Sequence, residues 1–154
     1  MTETTETAGA AGAAGAAGAA GAAEAPDAGQ RETIDAYLRF WNTADAEEQR
    51  RLASEVFSDD VQYHAVIGAL SGSPALIGFR DQFAEHMGAY AFRARRDPEV
   101  HHGRARLLWQ LDAGGREPFA TGTEVIVFAP DGRIATISGF LDQAPEGFDP
   151  NAHH

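Results

Sequence analysis

Residues Thr121 to Phe140, TGTEVIVFAPDGRIATISGF, hold two apolar runs joined by a turn that contains Asp131-Gly132. An Asp-Gly pair between two such runs is a strong hairpin signal, so the stretch predicts two long antiparallel strands. Glu124 interrupts the first run. Strand alternation groups it with Ile126 and Phe128 on one face and leaves Val125 and Val127 on the other. Both faces are therefore apolar, which suits a strand covered on both sides.

The rest of the chain is read around this hairpin. DAGGRE, residues 112–117, is a second turn, and strands are expected over residues 90–97, 100–112, 119–129 and 133–141. Ahead of them lie helical patterns. Ile34, Tyr37, Leu38 and Trp41 recur at helical spacing, and Asn42 to Asp45 break that helix. Thr43 or Asp45 can cap a second helix, whose apolar side is Leu52, Val56 and Phe57. VQYHAVIGALSG, residues 61–72, reads as a strand and a turn. Ser73 then caps a third helix with Pro74 at its first position, and Leu76, Phe79, Phe83 and Met87 step along one face. Helices followed by a meander of strands argue for the α+β class, with the helices closing one side of a curved sheet.

Composition narrows the function classes. The chain has 154 residues, which suits one domain. Residues 8–23 are only Ala and Gly at period three; with almost no large apolar side chain to bury, the stretch 1–29 that contains them is expected to be a disordered tail. That segment lacks the basic start and apolar centre of a signal peptide, and no run is long enough to span a membrane, so a cytoplasmic protein is expected. A net charge of −11 argues against nucleic acid and against anionic lipid as partners. With no cysteine, disulfides and thiolate chemistry are excluded. No two histidines have zinc-site spacing, and no nucleophile elbow or glycine-rich phosphate loop follows a strand. Neither a metal nor another cofactor is expected.

AYLRFWNTAD, FSDDVQY, the helix from Gly72 to Met87 and GTEVIVFAPDGRIATISGFLD, taken in that order, resemble the NTF2-like superfamily. Within it they look most like the SnoaL-like group of polyketide cyclases, relatives of the ketosteroid isomerases. The resemblance covers about Arg31 to Gln143, which sets the domain at residues 30–145 and leaves 146–154 as a flexible C-terminal tail. It implies a cone-shaped α+β barrel with the N-terminal helices packed on a strongly curved, mainly antiparallel sheet. It also implies an apolar pocket for a small-molecule substrate, and a homodimer formed through the outer face of the sheet.

Three positions of the isomerase pattern carry over. The oxyanion-hole tyrosine falls on Tyr37, the protonated acid on Glu124, and the general-base aspartate on Ala65, which removes that base. A carboxyl group in an apolar cavity is pushed toward its neutral form and can pass a proton near neutral pH. The competing reading of Glu124 is a solvated residue at a strand rim. Of the histidines, His101 shares alternation with Ala105, Leu107 and Trp109 and is expected to face inward as a catalytic partner. His102 is its neighbour with opposite parity, and His86 ends an amphipathic helix where it is expected to be solvated. The expected substrate contacts are Trp41, Tyr63, His64, His102, Trp109, Ile126 and Phe128, and the arginines around residues 93–106 are read as a solvated face.

Together these features predict a cofactor-independent cyclase or isomerase. It would act by acid–base chemistry on a small apolar, polyketide-like or related natural product. The alternatives are a non-catalytic small-molecule binder, a structural dimer with a filled pocket, and a limonene-type epoxide hydrolase with Asp142 as its second carboxylate.

Overall fold

The computed structural model describes residues 24–147. Among these residues, three helices and seven strands follow the expected order of two helices, a strand region, a third helix and a closing meander. Helix α1 spans Ala28–Asn42 and begins earlier than expected because Asp27 closes a capping box with Gln30. The Asp27 carboxylate accepts from the Gln30 amide at 2.8 Å, and the Gln30 side chain accepts from the Asp27 N–H at 3.0 Å. Glu24 also bridges to Val100, so the stretch 24–29 belongs to the fold and not to a tail. Residues 1–23 and 148–154, the bulk of the two expected tails, lie outside the described residues. Helix α2 spans Ala46–Val56; Asp45 caps it, and Glu47 and Glu48 in its first turn complement the helix dipole.

Strand β1 (Phe57–Ala65) follows α2 directly, and β2 (Gly68–Ser71) folds back on it as a hairpin that the sequence did not signal. Helix α3 spans Ser73–Met87; its N-cap is Gly72, at φ 84°, and Ser73 is already helical. Strands β3 (Tyr90–Ala94), β4 (Glu99–His101), β5 (Arg104–Ala113), β6 (Arg116–Phe128) and β7 (Ile134–Gln143) are the remaining elements of the described residues. The expected single strand over 100–112 is thus two strands. His102 and Gly103, at φ 47° and 74°, form a tight turn between them.

The sheet order is β2-β1-β7-β6-β5-β3, with β4 pairing β5. Among the described residues only β1 and β7 run parallel, and every other strand pair is antiparallel. Register shifts at Leu111/Ala113, Thr121/Gly122 and Val127/Phe128 mark bulges, the usual device for bending a sheet. The sheet is curved and unclosed, with β2 and β3 at the two ends of its strand order.

The three helices pack on the sheet's inner face. Ile34, Tyr37, Phe40 and Trp41 of α1, Leu52 and Val56 of α2 and Leu76 of α3 meet Val61, Tyr63, Leu107, Ile126, Ile134 and Ile137 in one buried cluster. Burying each large side chain of this kind contributes about 1.5–3 kcal/mol. On α3, the buried Arg80 guanidinium donates to the Trp41 carbonyl at 3.2 Å and pairs with Asp81. It thereby places a cation at the C-terminal end of α1, where the helix dipole favours one. Tyr90 donates to the same carbonyl and lies under the guanidinium, and this anchors Trp41 at the place where the core opens into a cavity.

Candidate active site

Register places the site. Glu124 of β6 pairs with Leu107 of β5 and Gly139 of β7, and Gly122 pairs with Trp109. On β1, Tyr63 and Ala65 share the inner face while His64 points away and is exposed. Between these strands, α1 and the C-terminal half of α3 lies a cavity of about 490 Å³. Its walls are mostly aromatic: Trp41, Tyr63, Phe79, Phe92 and Trp109 form a chain of rings with centroids 5.4–6.4 Å apart. Val66, Ile67, Phe83, His86, Met87 and Glu146 border it as well.

Glu124 is 3 % exposed and lines this cavity. Burial pushes its carboxyl up from the usual 4.5 to about 7, because desolvation penalises the anion. The opposing influence is the Tyr37 hydroxyl, which donates to Glu124 Oε1 at 2.6 Å and favours the charged form. Tyr37 is itself wholly buried, and burial together with the nearby carboxylate pushes its hydroxyl well above the ordinary tyrosine value. It therefore stays a proton donor. Tyr63 is raised for the same two reasons, but its hydroxyl makes no hydrogen bond among the described residues. The cavity thus holds one carboxyl group with a held oxygen, a second oxygen without a partner, and a free phenol beside it.

Replacing Tyr37 with phenylalanine removes the donor that favours the carboxylate. The Glu124 midpoint then moves upward by about one pH unit, the size of a lost hydrogen bond to a charged acceptor. A carbon-detected NMR titration of the glutamate carboxyls measures that displacement.

The structure brings together some of the expected residues and separates others. Glu124 and Tyr37 meet, and Trp41, Tyr63 and Trp109 line the cavity. Tyr37 does not line it: its hydroxyl is committed to Glu124, so the oxyanion position expected for it is not open to a substrate. Ile126 shares Glu124's face but is fully buried in the core, and Phe128 packs against that core further along the strand; neither reaches the cavity. His101 and His102 sit exposed at the β4–β5 turn with their Nδ1 atoms 3.2 Å apart, away from the cavity, because the turn replaces the expected strand alternation. His64 is on the outer side of β1.

His86 is exposed as expected but borders the cavity mouth, since the last turn of α3 runs along the rim. Asp142 faces outward, accepting from Thr123 at 2.8 Å and pairing with Arg95. It supplies no second carboxylate beside Glu124. Two glycines shape the cavity wall in a way that strand alternation alone does not announce. A Cβ on Gly122 would lie 2.2 Å from the Trp109 ring and 2.4 Å from the Phe140 carbonyl, so the indole lies directly across bare backbone. Gly139 leaves space beside Glu124 itself. Glycine inside a strand commonly marks such a close approach, and that was the available signal. Among the described residues, no group of three His, Asp or Glu is placed to hold a metal, and no helix is long and apolar enough to cross a membrane.

No protein-family model matches the sequence, and no curated protein matches it either. Solved structures do. A candidate isomerase of the SnoaL-like family from Agrobacterium tumefaciens str. C58 is 24% identical, with 75% of this chain and 99% of that one covered at a TM-score of 0.70. An NTF2-like protein of unknown function from Exiguobacterium sp. 255-15 is 18% identical over 71% of this chain and 98% of its own, at 0.59. A candidate polyketide cyclase from Sinorhizobium meliloti is 17% identical over 70% and 93%, at 0.57. At such identities the likeness speaks for architecture. The chain has the NTF2-like α+β fold, and its structural neighbours are SnoaL-like and NTF2-like proteins.

Proposed function

We propose that this protein is a cofactor-independent isomerase or cyclase that moves protons on a small, largely apolar carbonyl compound of the polyketide-like kind. The observation that carries this reading is the buried Glu124 carboxyl, held by Tyr37 on the wall of an aromatic cavity and brought to half-ionisation near pH 7. A base poised near the working pH is the most effective one for proton transfer. Glu124 takes a proton from a carbon next to the substrate carbonyl, and the electron pair moves into the enolate. The Tyr63 hydroxyl donates to the enolate oxygen, and Tyr37 holds the carboxyl in place. Return of the proton to another carbon completes an isomerisation. Attack of the enolate carbon on a second carbonyl, with the proton delivered to the resulting alkoxide, completes a cyclisation. Cavity walls that limit the substrate to one conformer contribute to the rate. The isomerase and polyketide cyclase assignments of two structural neighbours describe chemistry of this type and support the reading.

A panel of neutral cyclic ketones in D2O tests it. Protein-dependent exchange of the protons next to the carbonyl, lost in Glu124→Gln, is the expected result. Saturable binding without any exchange would instead favour a carrier.

We also propose that two copies pair through the outer sheet face, where Phe140 is 65% and Val125 38% exposed. An apolar patch of this kind on an otherwise charged surface suits a partner. Light scattering should give twice the chain mass for the wild type and the chain mass for Phe140→Asp.

A further inference from the structure

Beside Glu124 the inner surface of the sheet has a gap of defined size. A Cβ built on Gly139 would stand 3.4 Å from Glu124 Cγ, 3.6 Å from Oε2 and 3.6 Å from the Ala65 methyl group. These are ordinary contact distances, so the vacant space is that of one carbon atom, with the carboxyl on one side and a methyl on the other. Gly139 and Ala65 both border the cavity. Tyr37 occupies Oε1, which leaves Oε2 as the oxygen facing the gap. Tyr63, two residues before Ala65 on the same face of β1, is 7% exposed and brings its unpartnered hydroxyl to the same region. A carbon in the gap therefore meets an acceptor oxygen at about the separation of a reacting pair poised for transfer.

We infer that the gap at Gly139 is the subsite for the substrate carbon that gives up its proton, and that Gly139 determines specificity by admitting only an unbranched methylene next to a carbonyl. This rests on the acid–base reading of the cavity and adds to it where the reacting carbon lies. In the step itself the C–H bond breaks, its electron pair forms the enolate C=C bond, the carbonyl oxygen takes the charge, and an O–H bond forms at Oε2. Reversal after exchange with solvent returns a deuteron in D2O, so exchange reports the step without need of the natural substrate.

The probe is β-tetralone, whose benzylic methylene lies next to its carbonyl, together with the same ketone methylated at that carbon. Gly139 has no left-handed φ, so an alanine there meets no backbone strain, and an alanine favours a strand more than glycine does. Gly139→Ala should melt at the same or a higher temperature than the wild type. It should bind β-tetralone within about threefold, read by quenching of Trp41 and Trp109, yet lose about tenfold or more of the exchange at the benzylic carbon. The wild type should discriminate against the methylated ketone by a similar factor. Wild-type exchange rates in Gly139→Ala, or equal rates for the two ketones, overturn the subsite while the Glu124→Gln loss leaves the acid–base reading standing. Binding lost in parallel with exchange also overturns it, because the gap then serves the cavity's shape and not the reacting carbon. Equal rates in the wild type and Glu124→Gln overturn the underlying reading instead.

Discussion

Glu124→Gln should make the protein more stable at pH 8 by about 3 kcal/mol, leave its stability near pH 4 unchanged, and lower proton-transfer rates by about 10²–10⁴-fold. The stability effect follows from linkage. The folded carboxyl titrates at about 7 and the unfolded one near 4.5, so the native state holds the extra proton between those values. Stability from this group is fully present below pH 4.5 and is lost as pH rises through 7. The interval is worth about 3 kcal/mol, at about 1.4 kcal/mol per pH unit. Glutamine keeps the neutral shape of the side chain at every pH and can still accept from Tyr37, so the loss disappears along with the base. Urea denaturation at pH 4, 6 and 8 reads the slope directly. A variant that becomes both inactive and more stable marks a residue kept for chemistry, since an isolated buried charge is costly to the fold. In the active protein the rate should rise with pH and level off above about 7, as the carboxylate becomes available.

The second large effect is expected at Gly122. An alanine there places its methyl 2.2 Å from the Trp109 ring and 2.4 Å from the Phe140 carbonyl, and the second neighbour is backbone that cannot swing aside. Either β6 and β7 separate or the indole leaves its place against Phe92 and moves into the cavity. The expected cost is about 3 kcal/mol, at the upper end for overpacking, with loss of ketone binding. Chemical denaturation and tryptophan quenching measure the two consequences. Gly139→Ala, seventeen positions further on and also on the inner face, is expected to do the opposite to stability, which separates the structural glycine from the functional one.

Much of this arrangement was legible in the sequence where local chemistry and periodicity agree. The Asp131-Gly132 and Gly114-Gly115 pairs announced their hairpins, and the alternation of β6 turned Glu124 inward with Ile126. Helix α1 declared its apolar face, which is why Tyr37 and Trp41 were found. What escaped had weak or absent local signals. The turn at His102-Gly103 offers one glycine and a histidine at positive φ, a conformation histidine tolerates but does not advertise, so two strands read as one and His101 was turned inward. The Val66-Ile67 tip is apolar, unlike the usual polar turn, because it borders the cavity mouth. The Tyr37–Glu124 hydrogen bond joins residues 87 positions apart, and only tertiary packing could assign the tyrosine to the carboxyl and not to a substrate.

NMR titration of the Glu124 carboxyl carbon separates a buried base tuned to neutrality from an ordinary solvated carboxylate. With glutamate labelled at that carbon and Glu124→Gln used to assign the resonance, the midpoint is expected near pH 7. A midpoint near 4.5 would place the carboxylate in contact with water, remove the poised base, and leave the cavity as a binding site alone.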